Sequence, residues 1–204
     1  MLENSAVDFL EELSSSAPFP GGGGAAAVTG ALAASLGIMV GNLTVGKKKY
    51  AAVEEEIKEV KKKLTGLRDR LVALTDEDAI AFEPLAKAYR LPKETEEQRM
   101  VKERVMEDAL YKACLVPLEI METTLESMRL LQVIGEKGSV MAVSDAGGGI
   151  TFALSALEGA ALNVYINTKS MKKRELAAEL NEKADKMIQE GKNIKETIYQ
   201  EILG

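Results

Sequence analysis

The sequence predicts an all-α fold, a bundle of five or six long, bent helices in a single domain that spans residues 1–204. Apolar residues recur every three or four positions over several long segments, which is the spacing of one helix face. No segment shows the alternation of a half-buried strand. With 204 residues, 46% of them apolar, the chain suits one domain with a substantial core.

The first predicted helix covers residues 4–16 and is short and amphipathic. Its apolar residues Val7, Phe9 and Leu10 are expected to turn inward. Residues 18–24 contain two prolines and four glycines, so this segment is a loop that ends the helix.

The second predicted helix, residues 25–45, consists mostly of small residues. Gly30, Gly37 and Gly41 leave one face nearly flat, so another helix can approach closely. Residues 17–46 form a run of thirty positions without a charge, long enough to span a bilayer. Because Ala, Gly, Ser and Thr make this run only weakly hydrophobic, we expect a helix buried on all sides and no membrane span.

The third predicted helix covers residues 50–89 and is strongly periodic. Pro84 is expected to kink its last part, and Leu91-Pro92 follows its end. Its apolar stripe consists of Val53, Ile57, Val60, Leu64, Leu67, Leu71, Leu74, Ala81 and Leu85.

The fourth predicted helix begins after Thr95, a candidate N-cap, and bends at Pro117. Glycines in residues 135–138 mark a break. An apolar run at 150–166 fits a helix better than a strand, and residues 172–203 form an amphipathic, charge-rich helix. The stripe of the fourth helix is Val105, Ala109, Ala113, Val116, Ile120, Thr124, Met128, Leu131 and Ile134.

The composition excludes several classes of chemistry. Without histidine, the chain has no Ser-His-Asp or Cys-His nucleophile, no HExxH zinc site and no histidine proton shuttle. A single cysteine, Cys114, excludes CxxC redox chemistry, cysteine zinc clusters and an intrachain disulfide. We therefore expect no metal, and acid–base chemistry from carboxylates, lysine, tyrosine or the backbone.

The charge balance and the start of the sequence bear on the partners and the location of the protein. Acidic residues outnumber basic ones by 32 to 26, which argues against a nucleic-acid partner. No secretion signal opens the chain, and together with the lone thiol this predicts a cytoplasmic protein.

Asp78 is the strongest candidate for catalysis. It falls on the apolar stripe of the third helix, four residues after Leu74, whereas Asp76 points away from that stripe. Desolvation raises the pKa of a carboxyl group toward the range useful for general acid–base catalysis. The structural alternative is an aspartate that bonds to a neighbouring helix or faces solvent near Pro84.

Glycine and lysine residues at the two ends of the second helix are further candidates. The backbone N–H groups of Gly21, Gly22 and Gly23 are suited to an anion or a ligand carbonyl; the alternative is a packed turn. Lys47 and Lys48 either complement the helix C-terminus or receive an anionic substrate.

Polar residues also flank the apolar run at 150–166. Ser144 and Asp145 either cap a helix or place a second carboxylate at the floor of a pocket. Asn163 and Asn167 lie four apart on one face, where they either bond to a heteroaromatic ring or are ordinary polar positions near the helix end.

Seven motifs occur in order over nearly the whole chain: PFPGGG at 18–23, MVGNLTVGKK at 39–48, DEDAIAF at 76–82, LPK at 91–93, VPL at 116–118, VSD at 143–145 and NVYIN at 163–167. In these motifs the chain resembles the formiminotransferase–cyclodeaminase family, specifically its cyclodeaminase/cyclohydrolase domain. The transferase half of the bifunctional members has no counterpart here.

This resemblance implies an all-helical, homodimeric folate enzyme. Family members convert 5-formiminotetrahydrofolate to 5,10-methenyltetrahydrofolate and ammonia, and some stand-alone relatives hydrolyse the methenyl compound to 10-formyltetrahydrofolate. The prediction is therefore a cyclodeaminase, an ammonia-lyase of histidine degradation that needs no cofactor beyond its folate substrate. A methenyltetrahydrofolate cyclohydrolase is the alternative, and a non-catalytic helical interaction protein is the second alternative.

The resemblance also bears on individual residues. The family's catalytic aspartate lies in the motif at 76–82, where the helix register favours Asp78 over Asp76. In the predicted reaction Asp78 shuttles a proton, and Lys47 or Lys48 holds the aspartate or the anionic tail of the substrate. Many relatives have asparagine at the position of Ser139, so a ligand contact there would alter substrate preference or activity.

Overall fold

The computed structural model describes residues 5–203 and confirms the all-α fold. No strand occurs within that range, and 3₁₀ turns at Lys48–Tyr50 and Val140–Ala142 precede α3 and α5. The six helices are α1 (Ala6–Leu13), α2 (Gly22–Thr44), α3 (Glu54–Tyr89), α4 (Glu96–Lys137), α5 (Val143–Ser170) and α6 (Arg174–Leu203).

Helix α1 has one buried side chain, that of Phe9. A capping box between Ser5 and Asp8 starts the helix. The prediction that Val7 and Leu10 also turn inward is wrong, since both are well exposed. Successive positions rotate by about 100°, so neither residue shares the direction of Phe9. Residue 4, where the predicted helix begins, lies outside the described residues.

Helix α2 packs through its glycines, as predicted. An added Cβ at Gly30 would lie 3.2 Å from Leu71 of α3, and one at Gly37 would lie 2.8 Å from Leu131 of α4. Only a residue without a side chain lets the helices approach this closely.

The prediction that α2 is buried on all sides is wrong. Its opposite side leaves Leu32, Met39 and Leu43 exposed, and α5 likewise exposes Phe152, Leu162 and Ile166. We call these six residues the outer face.

Both helices of the outer face belong to segments that could cross a membrane by length and composition alone, Gly22–Thr44 and Val140–Ser170. In the structure 56% and 44% of their most apolar stretches are buried. Core helices of soluble proteins meet the same criterion, so this finding is only weak support for a membrane span.

Helices α3 and α4 are the two longest elements, and their predicted stripes form much of the core. Helix α3 begins at Glu54 rather than at residue 50, because the preceding residues form a 3₁₀ turn. Thr95 caps α4 through a capping box with Gln98, as predicted. The predicted break at 135–138 is wrong at its first three positions, since α4 continues to Lys137 and its C-cap is Gly138. Gly135 lies within α4, where a larger residue would press against Ile198 of α6.

The helices run in alternating directions around α4. Contacts of Gly22 with Asn163 and of Gly149 with Ala33 make α5 antiparallel to α2. Helices α2, α4 and α6 therefore point one way, and α3 and α5 point the other. The start of α2, the second half of α3, the first half of α4 and the end of α5 meet at one end of the bundle.

Candidate active site

A pocket of about 170 Å³ lies where these four helix segments meet. Residues from the α1–α2 segment cover it, α3 and α5 form its walls, and α4 forms its floor. Its lining consists of Pro18, Phe19, Gly21, Gly22, Gly23, Asp78, Ala81, Phe82, Ala113, Pro117, Asn163, Ile166 and Asn167. Asp78 is the one ionisable side chain among these described lining residues.

Asp78 replaces a conventional cap at the start of α2. The N-cap residue Gly21 has no side chain to offer, and the N–H of Gly24 donates a hydrogen bond to the Asp78 carboxylate. An added Cβ at Gly23 would overlap both carboxylate oxygens and Cγ of Asp78. Because Gly21 and Gly23 have no side chains, the Asp78 carboxylate of α3 lies directly against the N-terminus of α2, where partial positive charge accumulates.

Burial governs the protonation of Asp78. Desolvation raises the pKa of its carboxyl group above the ordinary value of 3.8, and the hydrogen bond from Gly24 opposes this shift without cancelling it. Asp76, two residues earlier, is exposed and does not line the pocket. The placement of Asp78 agrees with its position on the apolar stripe of α3.

Asn163 and Asn167 lie on the wall opposite Asp78. Asn163 Nδ2 donates to the carbonyl of Gly159 at 3.1 Å, and Asn167 Nδ2 donates to the carbonyl of Ala113 at 3.1 Å. Each amide is thereby fixed in orientation, which leaves its side-chain oxygen as an acceptor for a ligand. The structure therefore brings together Gly21, Gly22, Gly23, Asp78, Asn163 and Asn167 as the sequence predicted.

The remaining predicted site residues lie at the opposite end of the bundle. Lys47 and Lys48 follow the end of α2, and its 23 residues span about 33 Å at 1.5 Å per residue. Ser144 and Asp145 lie beside that same end, in the first turn of α5, whose N-cap is Ala142. Neither residue is the cap, and none of the four lines the pocket of the same chain.

Ser139 is also far from the pocket. It is buried, and its backbone N–H donates to Thr44 Oγ1 at 2.8 Å. Within one chain, its side chain makes no contribution to the lining around Asp78.

Sequence reasoning missed several apolar residues of the pocket. Phe19 and Phe82 make an edge-to-face contact with ring centroids 6.1 Å apart. Phe82 follows Asp78 by four residues and Ile166 follows Asn163 by three, so both share a helix face with a predicted residue. An interval of three or four residues from a predicted site residue is the sequence pattern that identifies both as candidates for the pocket.

The pocket combines one desolvated carboxylate, fixed amide oxygens and aromatic and aliphatic walls. Within residues 5–203, no group of three or more His, Cys, Asp or Glu side chains is arranged to hold a metal ion. The donor set suits proton transfer on a flat, polar heterocycle, with Asp78 as the acid or base.

Comparison with known proteins points to one family. The model of the formiminotransferase-cyclodeaminase family matches residues 5–186. The methenyltetrahydrofolate cyclohydrolase of Methylorubrum extorquens is 40% identical over 203 residues, which cover 99% of this chain and 98% of that protein.

Two further proteins are similar over nearly the whole chain. The formimidoyltransferase-cyclodeaminase of Mus musculus is 31% identical, and the match covers 94% of this chain but only 36% of that protein. The crystal structure of formiminotetrahydrofolate cyclodeaminase from Thermotoga maritima superimposes with a TM-score of 0.88 at 25% identity, covering 98% of this chain and 96% of that one. The chain belongs to the formiminotransferase-cyclodeaminase family.

Proposed function

We propose that this protein acts on the one-carbon unit of a tetrahydrofolate, as a methenyltetrahydrofolate cyclohydrolase. The observation that carries the proposal is the single desolvated carboxylate, Asp78, in a pocket with otherwise neutral walls. The cyclohydrolase reaction is favoured over the predicted cyclodeaminase reaction because the 40% identical relative bears that name and matches over nearly its full length.

Hydrolysis of 5,10-methenyltetrahydrofolate requires two proton movements. Water attacks the methenyl carbon, which carries positive charge shared with N5 and N10, and Asp78 accepts a proton from that water as the C–O bond forms. Asp78 then returns the proton to N5 as the C–N5 bond breaks. The remaining hydroxyl proton leaves to solvent, and the formyl group stays on N10.

The other residues of the pocket orient the substrate. The oxygens of Asn163 and Asn167 accept hydrogen bonds from N–H groups of the pterin ring, and Phe82 supplies an apolar face beside Asp78. In its ionised form the Asp78 carboxylate would also stabilise the cationic methenyl carbon, since the described lining residues include no cationic side chain that competes with it.

Cyclodeamination is the second candidate, and the match to the Thermotoga maritima structure favours it. In that reaction N10 attacks the formimino carbon, and Asp78 transfers the N10 proton to the departing ammonia. The same carboxylate therefore serves both reactions, and only the attacking and leaving atoms differ.

Absorbance of the methenyl chromophore separates the two reactions. Pure protein given 5,10-methenyltetrahydrofolate is expected to accelerate loss of the chromophore over the uncatalysed rate. Appearance of the chromophore from 5-formiminotetrahydrofolate would instead establish the cyclodeaminase. If calorimetry detects no binding of either folate, both proposals fail and the non-catalytic interaction protein becomes the better interpretation.

We also propose that a second copy of this chain covers the outer face. The charge-free run at 17–46 supplies half of it, and the exposed side chains of α5 supply the rest. Exposed apolar stripes on two adjacent helices are typical of homodimer interfaces, which agrees with the homodimer implied by the family resemblance.

A further inference from the structure

A second hollow continues the candidate active site along α4. It has a volume of about 300 Å³, and its floor includes Glu103, Met106 and Leu110. The floor of the first pocket is formed by Ala113 and Pro117. These five residues follow one another at intervals of three or four and so form one stripe on one face of α4.

Helix α5 also contributes neighbouring residues to the two hollows. Asn167 lines the first pocket and Ser170 lines the second, three residues further along α5. The hydrogen bond from Asn167 to Ala113 fixes α5 beside α4 at the point where the hollows meet. From Ala113 to Leu110 the distance along α4 is about 4.5 Å, so the two hollows are neighbours along this helix.

The second hollow is bordered by basic residues, although the whole chain has a net charge of −6. Its lining contains four cationic side chains, those of Lys93, Arg99, Lys102 and Lys172, and two carboxylates, those of Glu103 and Glu107. A local excess of positive charge in an acidic protein indicates a site for an anion.

Two of these cations are not neutralised by carboxylates. No ion pair within 4.0 Å joins Lys93 to any described carboxylate, and Lys102 donates to the carbonyl oxygens of Tyr89 and Leu91 at 2.8 and 2.6 Å. The two carboxylates are already occupied. Glu103 pairs with Lys172, and Glu107 accepts the backbone N–H groups of Lys172 and Lys173.

We propose that this hollow binds the glutamyl tail of a folate whose ring system occupies the Asp78 pocket. The inference rests on the proposed function. Met106 and Leu110 supply apolar contact for the aminobenzoyl group that links ring and tail, and the ammonium groups of Lys93 and Lys102 receive the tail carboxylates. This placement assigns the anionic tail to these residues rather than to Lys47 and Lys48, which follow the end of α2 at the opposite end of the bundle.

Binding of the tail alone tests the hollow without any turnover. The probe is p-aminobenzoyl-triglutamate, titrated calorimetrically into the wild-type protein, Lys93→Glu, Lys93→Arg and the matched control Lys63→Glu. Lys63 is likewise an exposed lysine without an ion pair among the described residues, in the first half of α3. We expect Lys93→Glu to weaken binding about tenfold, and Lys93→Arg and Lys63→Glu to stay within about twofold of wild type.

Two results would overturn the proposal. One is the absence of fragment binding to the wild-type protein, and the other is equal binding to wild type and Lys93→Glu. Raising the salt concentration should also weaken binding to the wild type, since exposed charges are screened.

Turnover separates this proposal from the proposed function. Wild-type protein is assayed with a methenyl substrate that carries the tail and with the corresponding pteroate, which lacks it. If neither substrate is converted, the proposed reaction fails, while the fragment titration still tests whether the hollow binds the glutamyl tail. If both substrates are converted with equal KM, the proposed reaction is supported and the assignment of the hollow as a tail site is wrong. We expect the KM of the substrate with the tail to be about tenfold lower.

Discussion

The carboxylate of Asp78 occupies the space that a Cβ atom on Gly23 would need. This relationship joins the candidate catalytic group to the first turn of helix α2. Gly23 lies inside the helix and not in a loop. A glycine is therefore needed at this position to leave space for the carboxylate, and not to make the backbone flexible.

Gly23→Ala is expected to reduce kcat by about 100-fold, because the added methyl group displaces the Asp78 carboxylate from its position in the pocket. The measurement is steady-state turnover of the folate substrate, with circular dichroism to verify folding. The control is Gly66→Ala in α3, where an added Cβ meets nothing within 4 Å. Equal turnover of both variants would show that the carboxylate position is not critical.

Asp78→Asn is expected to lower kcat by about 10²- to 10⁴-fold, since the amide cannot accept and return a proton. Asp76→Asn, two residues away on an exposed side of α3, should retain turnover close to wild type. If Asp78→Asn folds normally and remains nearly as active as wild type, the catalytic assignment is wrong.

The stability of the protein should depend on pH through Asp78. Its pKa is raised in the folded state, so the folded protein holds this proton more tightly than the unfolded chain does. The stabilising contribution is present below the ordinary value of 3.8 and is lost as the pH rises through the folded pKa. Asp78→Asn should therefore gain stability relative to wild type between low and neutral pH.

Urea denaturation of wild type and Asp78→Asn, at low pH and at neutral pH, measures this change in stability. The free energy of unfolding of Asp78→Asn minus that of wild type should increase with pH. A difference that decreases with pH would mean that the helix N-terminus, rather than burial, dominates the protonation of Asp78.

Cys114 should be unreactive in the folded protein. It is fully buried, and burial raises the pKa of its thiol to about 11. Iodoacetamide at pH 8 is therefore expected to modify it only after unfolding, since the thiolate is the nucleophile. Mass spectrometry with and without urea gives the readout. Rapid modification of the folded protein would contradict the packing of α4 against α5.

Leu162→Glu is expected to convert the proposed dimer to monomer, because a charge introduced at the exposed Leu162 would stay unpaired in an apolar interface. Sedimentation velocity at micromolar concentration measures the mass. Val72→Glu, at an exposed apolar position of α3 outside the outer face, is the control. A wild-type protein that sediments as a monomer would contradict the dimer.

Helix periodicity made much of the fold and part of the site predictable. The stripe of α3 placed Asp78 on the inward side, and the four-residue spacing placed Asn163 and Asn167 on one wall. Both inferences depend only on the geometry within one helix.

Helix periodicity does not predict how the helices pack against one another. Lys47 and Ser144 are sequence-predicted site residues like Asp78, yet the antiparallel packing of α2 and α5 places them at the far end of the bundle. The basic hollow could not be predicted from the sequence for the same reason. Lys93 precedes α4 and Lys172 follows α5, and only the tertiary fold brings them together.

The close packing of α2 limits how a substrate can enter. At Gly30 and Gly37 the helix already lies against side chains of α3 and α4, and a shift along its axis would drive larger residues into those contacts. Pro18 and Phe19 line the pocket from the segment between α1 and α2, outside any helix. An adjustment at these two residues would therefore enlarge the pocket for a ligand while the helices keep their close contacts.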